Sequence, residues 1–111
     1  MLKELTQEYI SAFNSKDSEK LSNLFIDDFV LEDPVVKRLE GKENVLKAIQ
    51  NIFDTANQLS FKAKNIFVDE NVSIIEFILT LDDTVLTGVD IIEWDGNKMK
   101  ELRAYLDIPK G

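Results

Sequence analysis

The sequence predicts an α+β domain in which three N-terminal helices pack on a strongly curved, mostly antiparallel sheet. Two observations carry this prediction. Apolar residues recur at three- and four-residue spacing in the first half of the chain, whereas in the second half they alternate or form β-branched runs. Because long antiparallel sheets twist, amphipathic helices can close the concave face into a cone. A cone of this kind can hold a pocket.

The first half of the chain predicts three amphipathic helices. The apolar stripe of the first helix consists of Leu2, Leu5, Tyr9, Ala12 and Phe13. Tyr9 is therefore expected on the buried side. A second, shorter helix is expected after a cap at Ser15, Asp17 or Ser18, because these side chains accept hydrogen bonds from free backbone N–H groups. The third helix follows the stretch EGKEN, and its stripe consists of Val45, Ala48, Ile49, Ile52, Phe53 and Ala56.

From residue 59 the period becomes that of strands. The stretch LSFKAKNIFV alternates apolar and polar side chains, which is typical of a strand with one face in water. The stretches VSIIEFILTL and TVLTGVDIIEW are more uniformly apolar, so we expect central strands covered on both faces. Asp82 and Asp83 predict a tight connection between them. The DGN stretch at residues 95–97 predicts a hairpin turn into a last strand, KMKELRAYLD.

The composition favours a single domain over residues 1–111. Thirteen basic residues stand against 21 acidic ones, the net charge is −8, and no basic cluster could neutralise phosphates, so we expect no nucleic-acid partner. We expect no membrane partner, because anionic lipid repels this charge and no apolar stretch approaches the ~20 residues of a spanning helix. The opening segment lacks the continuous apolar stretch of a signal peptide, which predicts a cytoplasmic protein.

Cysteine and histidine are both absent from the sequence. Their absence excludes disulfides, thiolate nucleophiles and Ser-His-Asp relays. A metal site is not expected either, because the Asp pairs at residues 27–28 and 82–83 lack the spaced oxygen ligands of a calcium-binding loop. The sequence therefore predicts no cofactor, and any acid–base chemistry must use carboxylates, tyrosine or lysine.

The stretch LFIDDFVLEDPVV carries a carboxyl group on an apolar face. Side chains alternate along a strand, so Phe29, Leu31 and Asp33 share one side. Pro34 cannot donate to a sheet ladder and is expected to end the strand, which leaves Asp33 at the mouth of the sheet if its neighbours point inward. A structural explanation also stands, since an Asp before proline commonly caps a turn or pairs with a nearby surface cation.

Asp90 interrupts the apolar stretch LTGVDIIEW. A buried carboxyl must be hydrogen-bonded, paired or protonated, because burial of a bare ionised carboxylate is costly. Gly88 could instead allow a bulge that turns the Asp90 side chain outward, and the sequence leaves both arrangements open. Tyr9 is a second polar group on an apolar face, although a tyrosine on a helix stripe usually packs as core with its hydroxyl on an available acceptor.

The order of these motifs resembles the SnoaL-like and ketosteroid isomerase branch of the nuclear transport factor 2-like (NTF2-like) superfamily, over nearly the whole chain. The stretch YISAFNSKDSEKLSNLFIDDFVLEDP resembles the opening series of that branch. The stretch EGKENVLKAIQNIF is similar to its glycine-led third helix, and GVDIIEWDGNKMKELRAYLD is similar to its closing hairpin. The resemblance implies the cone-shaped NTF2-like fold.

The resemblance also implies a catalytic set. Ketosteroid isomerases use a Tyr on the first helix, an Asp before proline and an Asp on a later strand, and Tyr9, Asp33 and Asp90 stand at matching positions. Asp33 would then move a proton from a carbon beside a carbonyl, while the other two donate hydrogen bonds to the enolate oxygen. In this family a carboxylic acid is kept neutral by an apolar site. The pocket would be lined by Phe13, Phe29, Leu31, Ile49, Phe53, Leu102, Ala104 and Leu106.

Two functions follow from these features. The first is a cofactor-independent isomerase, cyclase or lyase acting on a small, mostly apolar carbonyl compound. The second is a non-catalytic small-ligand-binding or dimerisation module, because Val85, Val89 and Ile91 predict an apolar outer sheet face, through which relatives usually form homodimers. A cone filled by aromatic side chains would favour the second. The resemblance departs at Ile49, where some of these isomerases carry a further tyrosine.

Overall fold

The computed structural model describes residues 1–107. Its elements, in chain order, are α1 (Leu2–Asn14), α2 (Ser18–Leu24), β1 (Phe25–Asp33), β2 (Lys37–Glu40), α3 (Lys42–Thr55), β3 (Leu59–Asp69), β4 (Val72–Leu81), β5 (Thr84–Asp95) and β6 (Lys98–Asp107). Within this range the strands form one sheet in the order β2-β1-β6-β5-β4-β3, antiparallel except for the β1–β6 pair. The predicted α+β class, with helices on a curved and mostly antiparallel sheet, is confirmed. No helix of the described range is long and apolar enough to cross a membrane.

The three helices form where their apolar stripes predict them. Asp17 is the capping residue of α2, because its side chain accepts a hydrogen bond from the backbone N–H of Lys20 at 3.1 Å. Gly41 precedes α3 with a φ of +97°, a region that favours glycine. Tyr9 lies on the buried side of α1. The helices therefore present the predicted faces to the sheet.

Two tight turns connect the last three strands. Asp82, in the turn between β4 and β5, has a φ of +55°, and its Oδ1 accepts the backbone N–H of Gln58 at 2.8 Å. Gly96, in the turn between β5 and β6, has a φ of +62°, and the flanking residues Asp95 and Lys98 pair directly. Both predicted connections are confirmed. Together they fix which side chains of β5 point into the cone.

The expectation that β4 and β5 are covered on both faces is wrong for the single chain. The inward side chains of β4 are buried, whereas the alternate ones are partly exposed, and β5 shows the same alternation from Asp90 to Trp94. The reason is that α1 and α3 pack on the concave side, while nothing in residues 1–107 covers the convex side. The sequence pattern does not predict β2, because its four residues, KRLE, are too short and polar for a readable period.

Near the turn between β5 and β6, three buried polar side chains hydrogen-bond to one another. The hydroxyl groups of Thr6 and Ser73 hydrogen-bond to each other at 2.8 Å, and Trp94 Nε1 donates to Ser73 Oγ at 2.9 Å. All three residues are almost fully buried. We call Thr6, Ser73 and Trp94 the closed cluster, because their polar atoms bond to one another within the protein.

Candidate active site

A cavity of about 90 Å³ lies between the helices and the concave face of the sheet. Tyr9 from α1, Asp33 from β1 and Asp90 from β5 all line it. Seven of the eight apolar residues expected around the pocket also line it, namely Phe13, Phe29, Leu31, Ile49, Leu102, Ala104 and Leu106. A larger open groove of about 580 Å³ between α1 and β3 contains none of the three acid–base groups, so it is not the candidate site.

Phe53 is the exception among the eight, since it does not line the cavity. It is buried on α3 and packs edge-on against Phe13, with ring centroids 5.2 Å apart. Because Phe13 itself faces the cavity, Phe53 forms a second layer behind it. Ile49 and Ile52 are the residues that α3 contributes to the lining.

Sequence reasoning missed several lining residues: Phe25, Ile52, Phe61, Phe77 and Leu79. Alternation along β3 and β4 carried a usable signal, because a strand covered on one face directs alternate side chains inward. The two strands pair with Phe61 opposite Leu79, which brings both side chains to the same part of the concave face. In β4, however, both faces carry apolar residues, so the sequence does not show which of its side chains point inward.

Tyr9 is held in the cavity wall by aromatic neighbours. Its ring meets Phe61 edge-on at 6.0 Å and lies 6.2 Å from Phe13. Burial raises the pKa of the Tyr9 hydroxyl well above its usual value, and the negative charge of Asp90, when ionised, acts in the same direction. The hydroxyl therefore stays protonated at neutral pH and can donate a hydrogen bond.

Asp90 points inward, and only 4% of its surface is exposed. The bulge considered at Gly88 does not form, because β5 pairs with β4 in unbroken register from residue 84 to residue 93. Glycine is needed at position 88 for a different reason, because a Cβ there would lie 2.3 Å from the carbonyl oxygen of Tyr105. Burial raises the pKa of Asp90 to about 8, with a further contribution from the negative charge of Asp33. Asp90 is thus mostly protonated at pH 7.

Asp33 ends β1 at the mouth of the cavity. Its Oδ1 accepts the backbone N–H groups of Val35 and Val36 at 2.8 and 2.7 Å, so the turn-capping arrangement does occur. Within residues 1–107 it forms no ion pair; the nearby Arg38 instead pairs with acidic residues on the outer face. The capping bonds use one oxygen and hold the carboxyl in place. Asp33 also borders an outer cleft of about 350 Å³, which places it between the cavity and the surface.

The Tyr9 hydroxyl and the Asp90 carboxyl make no hydrogen bond to any group in the described part of the chain. No buried side-chain oxygen or nitrogen in that part is both sealed from the cavities and without a partner, so these oxygens face the open space. We call Tyr9 and Asp90 the cavity pair. The cavity pair therefore presents a phenol and a mostly protonated carboxyl group to the same cavity.

This arrangement suits proton transfer beside a carbonyl group. A carboxylate at the mouth can accept a proton, and two donors in an apolar space can stabilise the negative oxygen that results. Among residues 1–107, no group of three or more acidic side chains is arranged to hold a metal ion. The chemistry available from the described residues is that of carboxylic acids and a phenol.

A protein-family model described as "SnoaL-like domain" matches residues 6–102. The fold is shared by an NTF2-like protein of unknown function from Cytophaga hutchinsonii ATCC 33406, with 14% identity, a TM-score of 0.85, and coverage of 96% of this chain and 90% of that one. It is shared by a candidate ketosteroid isomerase from Kribbella flavida DSM 17836, with 19% identity, a TM-score of 0.83, and coverage of 96% and 78%. A candidate SnoaL-like polyketide cyclase from Shewanella denitrificans OS-217 is similar at 18% identity, a TM-score of 0.82, and coverage of 95% and 89%. No curated protein matches the sequence.

Proposed function

Because the chain belongs to the SnoaL-like domain family, in the ketosteroid isomerase-like branch of the NTF2-like superfamily, we propose that it is a cofactor-independent enzyme that moves a proton on a small apolar carbonyl compound. One observation carries this proposal: Tyr9, Asp33 and Asp90 line a single apolar cavity. The unpartnered oxygens of the cavity pair support it further, since such groups are available to a ligand.

Each of the three residues has a role in the proposed reaction. Asp33, as carboxylate, takes a proton from the carbon next to the carbonyl group, and the electron pair of that C–H bond moves onto the carbonyl oxygen. Tyr9 and protonated Asp90 donate hydrogen bonds to the resulting enolate oxygen. Asp33 then returns the proton to a carbon of the enolate. Return of the proton to a different carbon gives an isomerase. If the enolate carbon instead attacks a second carbonyl group, a C–C bond forms, the proton on Asp33 passes to the new alkoxide oxygen, and the reaction is a cyclisation.

Replacement of Asp33 by Asn tests the proposed base. We expect Asp33→Asn to slow the exchange of substrate C–H protons with D₂O by roughly 10²–10⁴-fold, measured by proton NMR on a panel of small enones and β-keto compounds. Asp28→Asn is the matched control, because Asp28 lies on the same strand, is exposed and does not line the cavity. Equal exchange rates in the wild type and Asp33→Asn would exclude Asp33 as the base.

A second candidate function is assembly through the outer face of the sheet. This face exposes large apolar side chains, with Phe67, Val85 and Tyr105 each more than half exposed. Large exposed apolar side chains on one sheet face favour burial in an interface, and a second copy of the chain is the simplest partner. Light scattering at micromolar concentration tests it: Val85→Lys should convert a dimer to a monomer, and a wild-type chain that is already monomeric would exclude the interface.

A further inference from the structure

We propose that Phe61 sets an upper size limit on the ligand, so that the cavity admits a short-chain or single-ring carbonyl compound and excludes fused rings. The inference rests on the proposed function of the same cavity. It narrows the class of compound from apolar carbonyl compounds in general to those whose rigid part is about one ring in size.

The volume of the cavity gives the first argument. It measures about 90 Å³. A dry cavity of about 150 Å³ holds benzene, and sites for drug-sized ligands span about 300–1,000 Å³. A short-chain ketone fits the present space. A six-membered ring requires only modest side-chain movement, whereas a fused two-ring compound requires a wall residue to leave.

The position of Phe61 identifies it as the part of the cavity wall that opposes a larger ligand. Its ring centroid lies 5.2 Å from that of Phe13, 5.1 Å from that of Phe77 and 6.0 Å from that of Tyr9, and all four rings line the cavity. Phe61 is therefore the central ring of this aromatic wall. Phe61 also borders the open groove between α1 and β3, so its movement away from the cavity is opposed by its three aromatic neighbours rather than by packing on every side.

The backbone of Phe61 is fixed as well as its ring. Its N–H donates to Asn14 Oδ1 at 2.8 Å, which ties β3 to the end of α1, and Phe61 pairs with Leu79 across the β3–β4 ladder. Helix and sheet thus both hold the residue in place.

Phe61→Leu tests the limit, with Phe53→Leu as the matched control. Both phenylalanines are 4% exposed and both contact Phe13 at 5.2 Å, but only Phe61 lines the cavity. The two substitutions therefore remove the same group from the same core. A difference between them in ligand size preference must come from the lining.

The probes are cyclohexenone and octalone, in which a second ring is fused to the same enone head. Dissociation constants are measured by NMR titration. We expect the wild type to bind cyclohexenone roughly tenfold or more tightly than octalone, Phe61→Leu to reduce that ratio by roughly tenfold, and Phe53→Leu to retain the wild-type ratio. Phe61→Met repeats the test with a more conservative volume if the leucine variant does not fold.

Three results would overturn the size limit: wild-type protein that binds octalone as tightly as cyclohexenone, wild-type protein that does not bind cyclohexenone, or equal ratios in the Phe61 and Phe53 variants. All are binding measurements, so they are independent of proton exchange. The wild type could prefer cyclohexenone over octalone as expected while Asp33→Asn exchanges substrate protons as fast as the wild type. Asp33 would then not be the base, but the size limit at Phe61 would still stand.

Discussion

The closed cluster and the cavity pair both draw residues from α1 and β5, but their polar atoms are partnered differently. Thr6 and Tyr9 lie one turn apart on α1, and Trp94 and Asp90 both point inward from β5. In the closed cluster the hydroxyl and indole groups bond to Ser73 at 2.8 and 2.9 Å. In the cavity pair neither group has a partner among residues 1–107. One end of the cone thus pairs its polar atoms within the protein, and the other leaves its polar oxygens open to the cavity.

Because the polar oxygens of the cavity pair are left open to the cavity, we propose that this is the functional end of the molecule. Burial of a polar group without a partner destabilises the folded state, and burial of a titratable group raises the pKa of an acid such as Asp90. Strongly perturbed acids that line a cleft are typical of catalytic and binding sites. The comparison therefore makes different predictions for the two ends when pH or a single side chain is changed.

The largest expected effect is a pH dependence of stability due to Asp90. Its pKa is about 8 in the folded protein, against 3.8 ordinarily, so between these values the folded state holds a proton that the unfolded state releases. The free energy of unfolding must then fall as pH rises, by up to about 1.4 kcal/mol per unit. Relative to Asp90→Asn, the wild type should lose up to about 4 kcal/mol between pH 5 and pH 8 in urea denaturation.

Asp83→Asn is the control for this pH dependence, because Asp83 is exposed in the turn between β4 and β5. It should retain the wild-type slope. If Asp90→Asn loses stability with pH as steeply as the wild type, Asp90 ionises normally in the folded protein. The two ends of the cone would then not differ in their electrostatics.

A smaller effect is expected in the closed cluster. Ser73→Ala removes the acceptor of the Trp94 N–H, and a buried donor left unpaired costs about 1–3 kcal/mol. The Thr6 hydroxyl retains the Leu2 carbonyl oxygen as its acceptor at 2.7 Å. Because no titrating group is involved, the loss should be the same at pH 5 and pH 8. Ser60→Ala on β3 is the control, since Ser60 makes no side-chain hydrogen bond within the described residues. A loss that varies with pH would contradict the assignment of the closed cluster to stability alone.

The sequence predicts the helix cap, the turn and the inward face of β1 better than it predicts the cavity. Local patterns determine the cap at Asp17, the turn at Gly96 and the shared face of Phe29, Leu31 and Asp33, because each depends on neighbours along the chain. These features are all found in the structure. Sequence-local chemistry therefore accounts for the elements and for which face of β1 points inward.

The remaining features depend on contacts between distant segments. Whether Asp90 points inward depends on the register that β5 adopts with β4, and whether Phe53 or Ile52 lines the cavity depends on how α3 is rotated over the sheet. The space of about 90 Å³ depends on where the ring of Phe61 meets α1. No periodicity in the sequence encodes these distances, which is why pocket size and the exception at Phe53 emerge only from the structure.

The smallest expected effect on stability is at Tyr9. Tyr9→Phe removes a hydroxyl that has no partner among residues 1–107 and keeps the ring that packs against Phe13 and Phe61. The free energy of unfolding should therefore change by no more than about 0.5 kcal/mol, since no hydrogen bond within the described residues is lost. Proton exchange, in contrast, should slow by roughly 10²–10³-fold, the usual effect of removing one donor to an oxyanion. A Tyr9→Phe variant destabilised as strongly as Ser73→Ala would mean that the hydroxyl bonds within the protein, and the two ends of the cone would then be organised alike.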